Sequence, residues 1–282
     1  GCLPVSQSAH HRSGWNQVCI KLLKENSDRG VFVDCSLESS FSWKHNWYEK
    51  VSHIPYKMPW VGFFHNPPVY PDYFLKTPPV KLDEFGILDR ILESKPFQDS
   101  TAACRALFTL SSYLSEYLRD KTGLPTVSFK HPIATELKCD KWDASLAYKN
   151  REVCMIGYWY RKFKTFSQIN TTWKKSFLGG DKKQLSWYIK KEAEFTDMNF
   201  DPEKFHIYPT LNVKEHDKKL CEIVVFLDFW DTACNTSLID CISRNTPVVV
   251  LKHPATVEYL GEDYPLYFQN IQEANLDLQF LL

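Results

Sequence analysis

The chain carries no excess charge of either sign: 34 Lys and Arg stand against 34 Asp and Glu over 282 residues. Such a balance gives no net field to draw in nucleic acid or an anionic membrane surface. No apolar run approaches the ~18 residues that a membrane-spanning helix requires, and the first residues lack a signal-peptide pattern. The nine cysteines fall in no CxxC or Cys/His spacing. No zinc site is therefore expected, and free thiols are small apolar fillers in a reducing, cytoplasmic compartment. The sequons at Asn170 and Asn235 are read as chance matches there. Neither GxGxxG nor GxxxxGKS/T occurs, which leaves the Rossmann dinucleotide fingerprint and the P-loop unsupported. What remains is an ordinary globular composition, 44% apolar and 24% charged, long enough for two domains.

The stretch from Ile223 to Phe268 is the most structured part of the sequence. Ile223 to Leu227 is an apolar, β-branched run, as in a parallel strand buried on both faces. Asn235 suits a helix N-cap. Leu238, Ile239 and Ile242 then make one apolar face, while Ser237, Asp240 and Arg244 fall on another, with Asp240 expected to be exposed. Asn245-Thr246-Pro247 stops the helix, and Val248 to Leu251 is a second buried strand. The helix begins at the carboxyl end of a strand, where open α/β sheets bind ligands and free N–H groups favour phosphate. Most such helix starts bind nothing; the polarity of Thr232, Asn235, Thr236 and Ser237 is what singles this one out.

Earlier in the chain, His10 to Trp15 precede a helix through Leu22-Leu23, and Gly14 allows a ligand close to the backbone or simply opens a helix. Gly30 to Asp34 and Trp60 to Phe64 read as strands. The second runs into His65-Asn66-Pro67-Pro68-Val69-Tyr70-Pro71-Asp72, a loop stiffened by three prolines. Such a loop presents His, Asn and Asp rigidly for chemistry, or is a stiff connection with solvated polar groups. Lys95 before Pro96 ends a short helix, Ser100 to Arg105 resumes as helix, and Ala106 to Leu110 is a strand. Ser111 caps a helix over Tyr113 to Arg119, and Thr126 to Phe129 is the next strand. Polar Lys138 to Arg151 reads as a linker, giving domains 1–145 and 146–282, with a final helix from Gln269 that packs back on the first domain. Val153 to Gly157 opens the second domain, and Arg161, Lys162 and Lys164 follow at the strand's end, where Arg suits a diphosphate and a solvated basic turn is the alternative. Tyr208 or His206 either borders a base or packs in the core. Aromatic residues make up 15% of the chain with nine Trp, a ring-rich core or a sugar-stacking surface.

Several of these segments resemble GT-B glycosyltransferases of the single-chain type found in giant viruses, including chloroviruses, and in bacterial polysaccharide systems. Asn235, Thr236, Ser237, Asp240, Cys241, Ile242, Arg244, Asn245, Thr246 and Pro247 match a pattern close to N-N-T-x-x-E-C-I-x-R-N-T-P, with Asp240 in place of Glu. His253 to Gly261 and Tyr264-Pro265 continue it. Similar elements are HRSGW at His11 to Trp15, HNPP at His65 to Pro68, and IGWWLRK against Ile156 to Lys162. The resemblance implies an α/β GT-B fold, two Rossmann-like domains with parallel sheets facing an interdomain cleft. It implies transfer of a sugar, xylose from UDP-xylose, onto a hydroxyl of an oligosaccharide or glycoprotein acceptor, fucose, with inversion and without metal or cofactor, in host-cell cytoplasm for a viral protein. Donor contacts would come from Arg161, Tyr208, Asn235, Thr236, Ser237, Asp240 and Glu258. Acceptor contacts would come from His11, Arg12, Gly14, Trp15 and Asn66. The base would be Asp72, with His65 second. A sugar-nucleotide epimerase and a non-catalytic glycan-binding module are the alternatives.

Overall fold

A computed structural model describes residues 2–3, 14–25, 30–43, 54–76, 87–133, 141–179, 182–198 and 204–281, grouped in two compact units. The first takes the described residues up to 133 together with Asp231–Cys234; the second takes 141–230 and 235–281. In chain order the first unit contains β1 (Cys2–Leu3), α1 (Trp15–Lys24), β2 (Phe32–Asp34), a π-helical turn (Ser39–Trp43), β3 (Trp60–Phe63) and α2 (Tyr73–Lys76). After these come α3 (Leu88–Glu93), α4 (Lys95–Thr101), β4 (Cys104–Thr109), α5 (Ser112–Thr122) and β5 (Thr126–Ser128). The five strands form one parallel sheet in the order β1-β2-β3-β4-β5. Trp60, Phe64, Leu88, Phe97, Leu107 and Leu114 pack its core.

The second unit contains α6 (Ala144–Asn150), β6 (Glu152–Ile156), α7 (Phe163–Gln168), β7 (Lys174–Leu178), α8 (Lys182–Phe195) and β8 (His206–Ile207). It continues with α9 (Val213–Leu220), β9 (Val224–Leu227), α10 (Thr236–Arg244), β10 (Val248–Leu251), α11 (Pro254–Leu260), β11 (Tyr267–Phe268) and α12 (Ile271–Leu281). Its parallel sheet runs β11-β10-β9-β6-β7-β8. Every residue of β6 and β9 is buried, as the apolar runs require of strands covered on both faces. From β6 the chain winds outward through β7 and β8, then returns to β9 and winds the other way. That reversal puts a switch point between the carboxyl ends of β6 and β9, where doubly wound sheets leave a crevice.

Four local readings change. Lys95–Thr101 is helical and ends before Arg105: Ser94 caps it by accepting from Phe97 N–H at 3.4 Å, and proline fits a first helical turn. Cys104 is accordingly the first residue of β4. The polar linker is in part α6, capped by Asp143 and held down by Trp142, whose Nε1 donates to Ile223 O at 2.8 Å. With Trp142 N–H donating to Arg244 O at 2.8 Å and Asp143 N–H to Cys221 O at 2.9 Å, residues 141–143 belong to the second unit, ahead of the expected 145/146 boundary. The last helix packs on β10 and β11 of its own unit, burying Ala274 and Leu278.

The polar face of α10 is the fourth. Ser237, Asp240 and Arg244 are buried, while Ile242 is 38% exposed. Arg244 is the reason: its guanidinium pairs with Asp217 of α9, donates to Asp240 O at 2.8 Å and lies 3.7 Å from the Asp240 carboxylate. Charge neutralisation lets a polar stripe face another helix, which hydrophobic periodicity alone does not anticipate. Among the described residues no helix is long and apolar enough to cross a membrane. Replacing Arg244 with Ala removes the cation that faces buried Asp240 and part-buried Asp217 and is expected to lower stability by about 3–5 kcal/mol, measured by urea unfolding; a change under 1 kcal/mol would show the pair to be dispensable.

Candidate functional site

The carboxyl end of β6 turns sharply. Gly157 has φ 77° and Tyr160 φ 58°, both in the left-handed region, which costs a side-chain-bearing residue about 1–2 kcal/mol. The surroundings hold Tyr160 there: it is buried, and its carbonyl accepts Trp230 N–H at 2.9 Å. Gly157 N–H donates to Leu178 O at 2.9 Å, and Gly179 approaches so closely that a Cβ on it would lie 3.5 Å from the Gly157 backbone. The two glycines let the ends of β6 and β7 touch.

This turn delivers Arg161 into the switch point. The guanidinium is only 5% exposed. Nε donates to Ile156 O at 2.8 Å, Nη1 to Trp159 O at 3.0 Å, and Nη2 to Asn235 Oδ1 at 3.2 Å and Ser237 Oγ at 3.1 Å. Its Cζ sits 4.9 Å from the Phe229 ring centroid. Burial pulls its pKa down, to about 9, so it remains a cation at neutral pH. Asn235 Oδ1 also accepts Ser237 N–H at 2.9 Å and Leu238 N–H at 3.3 Å, making it the N-cap of α10. Arg161 and the Asn235–Ser237 helix start, both expected at the donor diphosphate, are thus joined to one another within one unit. Most guanidinium donors are engaged by the protein, so Arg161 acts mainly as a fixed buried charge.

Two acidic residues brace the turn. Glu192 of α8 accepts Phe163 N–H and Lys164 N–H, each at 2.9 Å. Asp228, just after β9, accepts Phe229 N–H at 2.8 Å while its carbonyl accepts Lys162 N–H at 3.2 Å. Neither acid stands out in the sequence, since each lies in an apolar or lysine-rich run without a motif.

Two of the expected donor residues are engaged inside the unit. Asp240 is buried and is an ion-pair partner of Arg244 inside the unit. Tyr208 donates to Glu152 at 3.0 Å, and the Lys174 and Lys219 ammonium groups lie 5.1 and 4.8 Å from its ring centroid. Its ring thus faces two cations. Glu258 is half-buried on α11.

In the first unit, residues 64–72 lead from β3 into α2. The prolines have no N–H to satisfy, and two carboxylates accept others. Glu38 Oε1 takes His65 N–H at 2.5 Å and Asn66 N–H at 2.7 Å, and Asp231 takes Val69 N–H at 2.8 Å together with Tyr113 Oη–H at 3.1 Å. Burial raises the Glu38 and Asp34 pKa values. His65 Nε2 lies 2.7 Å from Cys35 O; a carbonyl only accepts, so the proton sits on Nε2 and Nδ1 is the basic nitrogen. Asp72 is exposed one residue before α2. Trp15 and Asn66, expected at the acceptor, are buried, with Trp15 edge-on to Phe63, His65 and His131. Trp15 is therefore a floor beneath His65. Gly14 has φ 55°, and a Cβ there would meet Ile133 carbonyl atoms at 2.6 Å, so its role is close backbone packing. His11 and Arg12 lie outside the described residues.

No protein-family model and no curated protein sequence matches the chain. Solved structures do. A sucrose-phosphate synthase from Thermosynechococcus elongatus is 11% identical with a TM-score of 0.58, over 95% of this chain and 68% of that one. A TarM mutant from S. aureus, in complex with fondaparinux, alpha-GlcNAc-glycerol and UDP, is 12% identical with a TM-score of 0.56, over 94% of this chain and 51% of that one. A trehalose-6-phosphate structure from E. coli bound with UDP-2-fluoro glucose is 11% identical with a TM-score of 0.51, over 93% and 67%. The shared fold is GT-B, two Rossmann-like units with parallel sheets.

Gly157→Ala tests the turn. It adds a Cβ 3.1 Å from Arg161 Nη2 at φ 77°, whereas Gly123→Ala meets the same backbone strain at φ 66° with nothing within 4 Å. Gly123→Ala is expected to cost about 1–2 kcal/mol and Gly157→Ala clearly more, compared by urea unfolding; equal losses would show that the Arg161 contact carries no weight.

Proposed function

We propose that the protein is a nucleotide-sugar-dependent glycosyltransferase, with the donor held by the second unit and the acceptor by the first. The observation that carries this reading is the buried Arg161 cation joined to Asn235 and Ser237 at the β6/β9 switch point. A leaving nucleoside diphosphate gains negative charge as the anomeric carbon becomes oxocarbenium-like. A fixed cation and a helix N-terminus are the groups that stabilise such a charge without reorganising. Thr236 begins α10 and adds its N–H and hydroxyl to that end. Glu258 is the remaining acid for ribose or sugar hydroxyls. Two neighbours of the same fold were solved with UDP or a UDP-sugar, which supports uridine as the nucleoside.

The finer reading follows the sequence resemblance: xylose moves from UDP-xylose to a fucose hydroxyl of a glycan, with inversion. The acceptor oxygen bonds to the anomeric carbon as the bond to the diphosphate breaks on the opposite side. The hydroxyl proton passes to Asp72, which is exposed and aligned by a proline-stiffened loop. His65 Nδ1 is the second base, its ring fixed by Cys35 O. A general base typically contributes ~10²–10⁴ in rate. An epimerase would convert the donor without an acceptor, and a glycan-binding module would ignore nucleotides.

Thermal shift with UDP, GDP, UDP-xylose and UDP-glucose, with and without EDTA, is expected to show stabilisation by uridine nucleotides that chelator leaves intact. Product analysis with fucose-terminated glycans then separates transfer from epimerisation. Asp72→Asn should lower turnover by ~10²–10⁴ while leaving the donor Kd unchanged; wild-type turnover in that variant would move the base to His65.

A further inference from the structure

One face of α8 backs the whole turn. Tyr188 and Glu192 lie four residues apart and so share that face. Tyr188 stacks on Tyr158 with centroids 5.1 Å apart and meets Trp159 edge-on at 6.0 Å. Glu192, 1% exposed, gives one oxygen to Phe163 N–H and the other to Lys164 N–H. Phe163 follows Arg161 by two residues. The segment carrying the buried cation is thus tied at its start by the end of β6 and at its finish by this carboxylate.

We propose that Glu192 is a positioning residue for the donor: by accepting two backbone N–H groups with two oxygens, it fixes the Arg161–Lys162 turn in its binding geometry. The proposal rests on the donor reading above. Its chemistry is specific to the ionised form. A protonated carboxyl, like an amide, has one oxygen replaced as acceptor by a donor, which then faces a backbone N–H and loses that bond. Burial raises the Glu192 pKa to about 7, against the two N–H bonds; Asp228 also raises it and Lys162 lowers it. Those two charges face it from the end of β9 and from the turn itself.

The two consequences have opposite signs. A carboxyl whose pKa rises on folding binds more protons folded than unfolded, so its contribution to stability falls as pH rises from about 4.5 to about 7. Donor affinity should instead rise over pH 6 to 8, as Glu192 ionises and the turn is held. A group that merely supported the fold would move both in the same direction.

Isothermal titration of the full chain with UDP-xylose and with UDP-glucose tests this, because their diphosphate diesters carry no proton that titrates between pH 6 and 8. Wild-type Kd is expected to fall roughly three- to tenfold from pH 6 to pH 8, the scale of one ordinary net hydrogen bond. E192Q should give a flat profile near the wild-type value at pH 6, with its melting temperature losing less than the wild type over the same range. If E192Q does not fold, the wild-type profiles still decide. Affinity that is flat or weakens with rising pH overturns the proposal and leaves the donor site standing. No binding of either sugar nucleotide at pH 8 overturns the donor site and the proposal with it.

Discussion

The burial of one guanidinium is the constraint on which the second unit depends. Arg161 cannot lie in a dry crevice unless its donors find acceptors. The acceptors it finds are the end of its own strand, the carbonyl of Trp159, and the cap and second residue of α10. Each of these fixes something else. Ile156 O and Trp159 O define the tight turn, and that turn needs glycine at 157. Asn235 must both cap the helix and receive the cation, so the helix start and the charge are locked together. The fixed positive charge and the helix dipole then point into the same crevice.

A second rule runs through both units: buried carboxylates accept from backbone N–H groups in the segments that follow strands, up to the first turn of the next helix. Glu38 does so for His65 and Asn66, Asp231 for Val69 and Thr232, Asp34 for Ser36, and Glu192 for Phe163 and Lys164. Irregular chain at these ends has no sheet ladder to join, and an unmet buried N–H is costly. Carboxylates solve this rigidly, at the expense of desolvating a charge. Prolines solve the same problem by removing the donor, which is why three of them fall between His65 and Asp72.

Some of this was legible in the chain itself. β-branched runs at Val224–Leu227 and Val248–Leu251 fixed strands buried on both faces, because only a covered parallel strand tolerates that pattern. Asn235 marked its helix start, because few side chains cap well. The pair of Rossmann-like units followed from the resemblance of several segments to GT-B glycosyltransferases. The α10 face misled, since Ser237, Asp240 and Arg244 look like solvent residues until Asp217 of another helix is brought against them.

By itself, then, the sequence determined the local pieces: strand positions, helix caps, the proline-stiffened loop and the basic turn after β6. Those depend on neighbours within a few residues. Only the tertiary structure decided the strand order that sets the β6/β9 switch point, the burial of Arg161 and Trp15, and the service of Glu38, Glu192 and Asp231 to distant amides. Those contacts span tens of residues or more along the chain, and no local preference encodes which acid will meet which N–H.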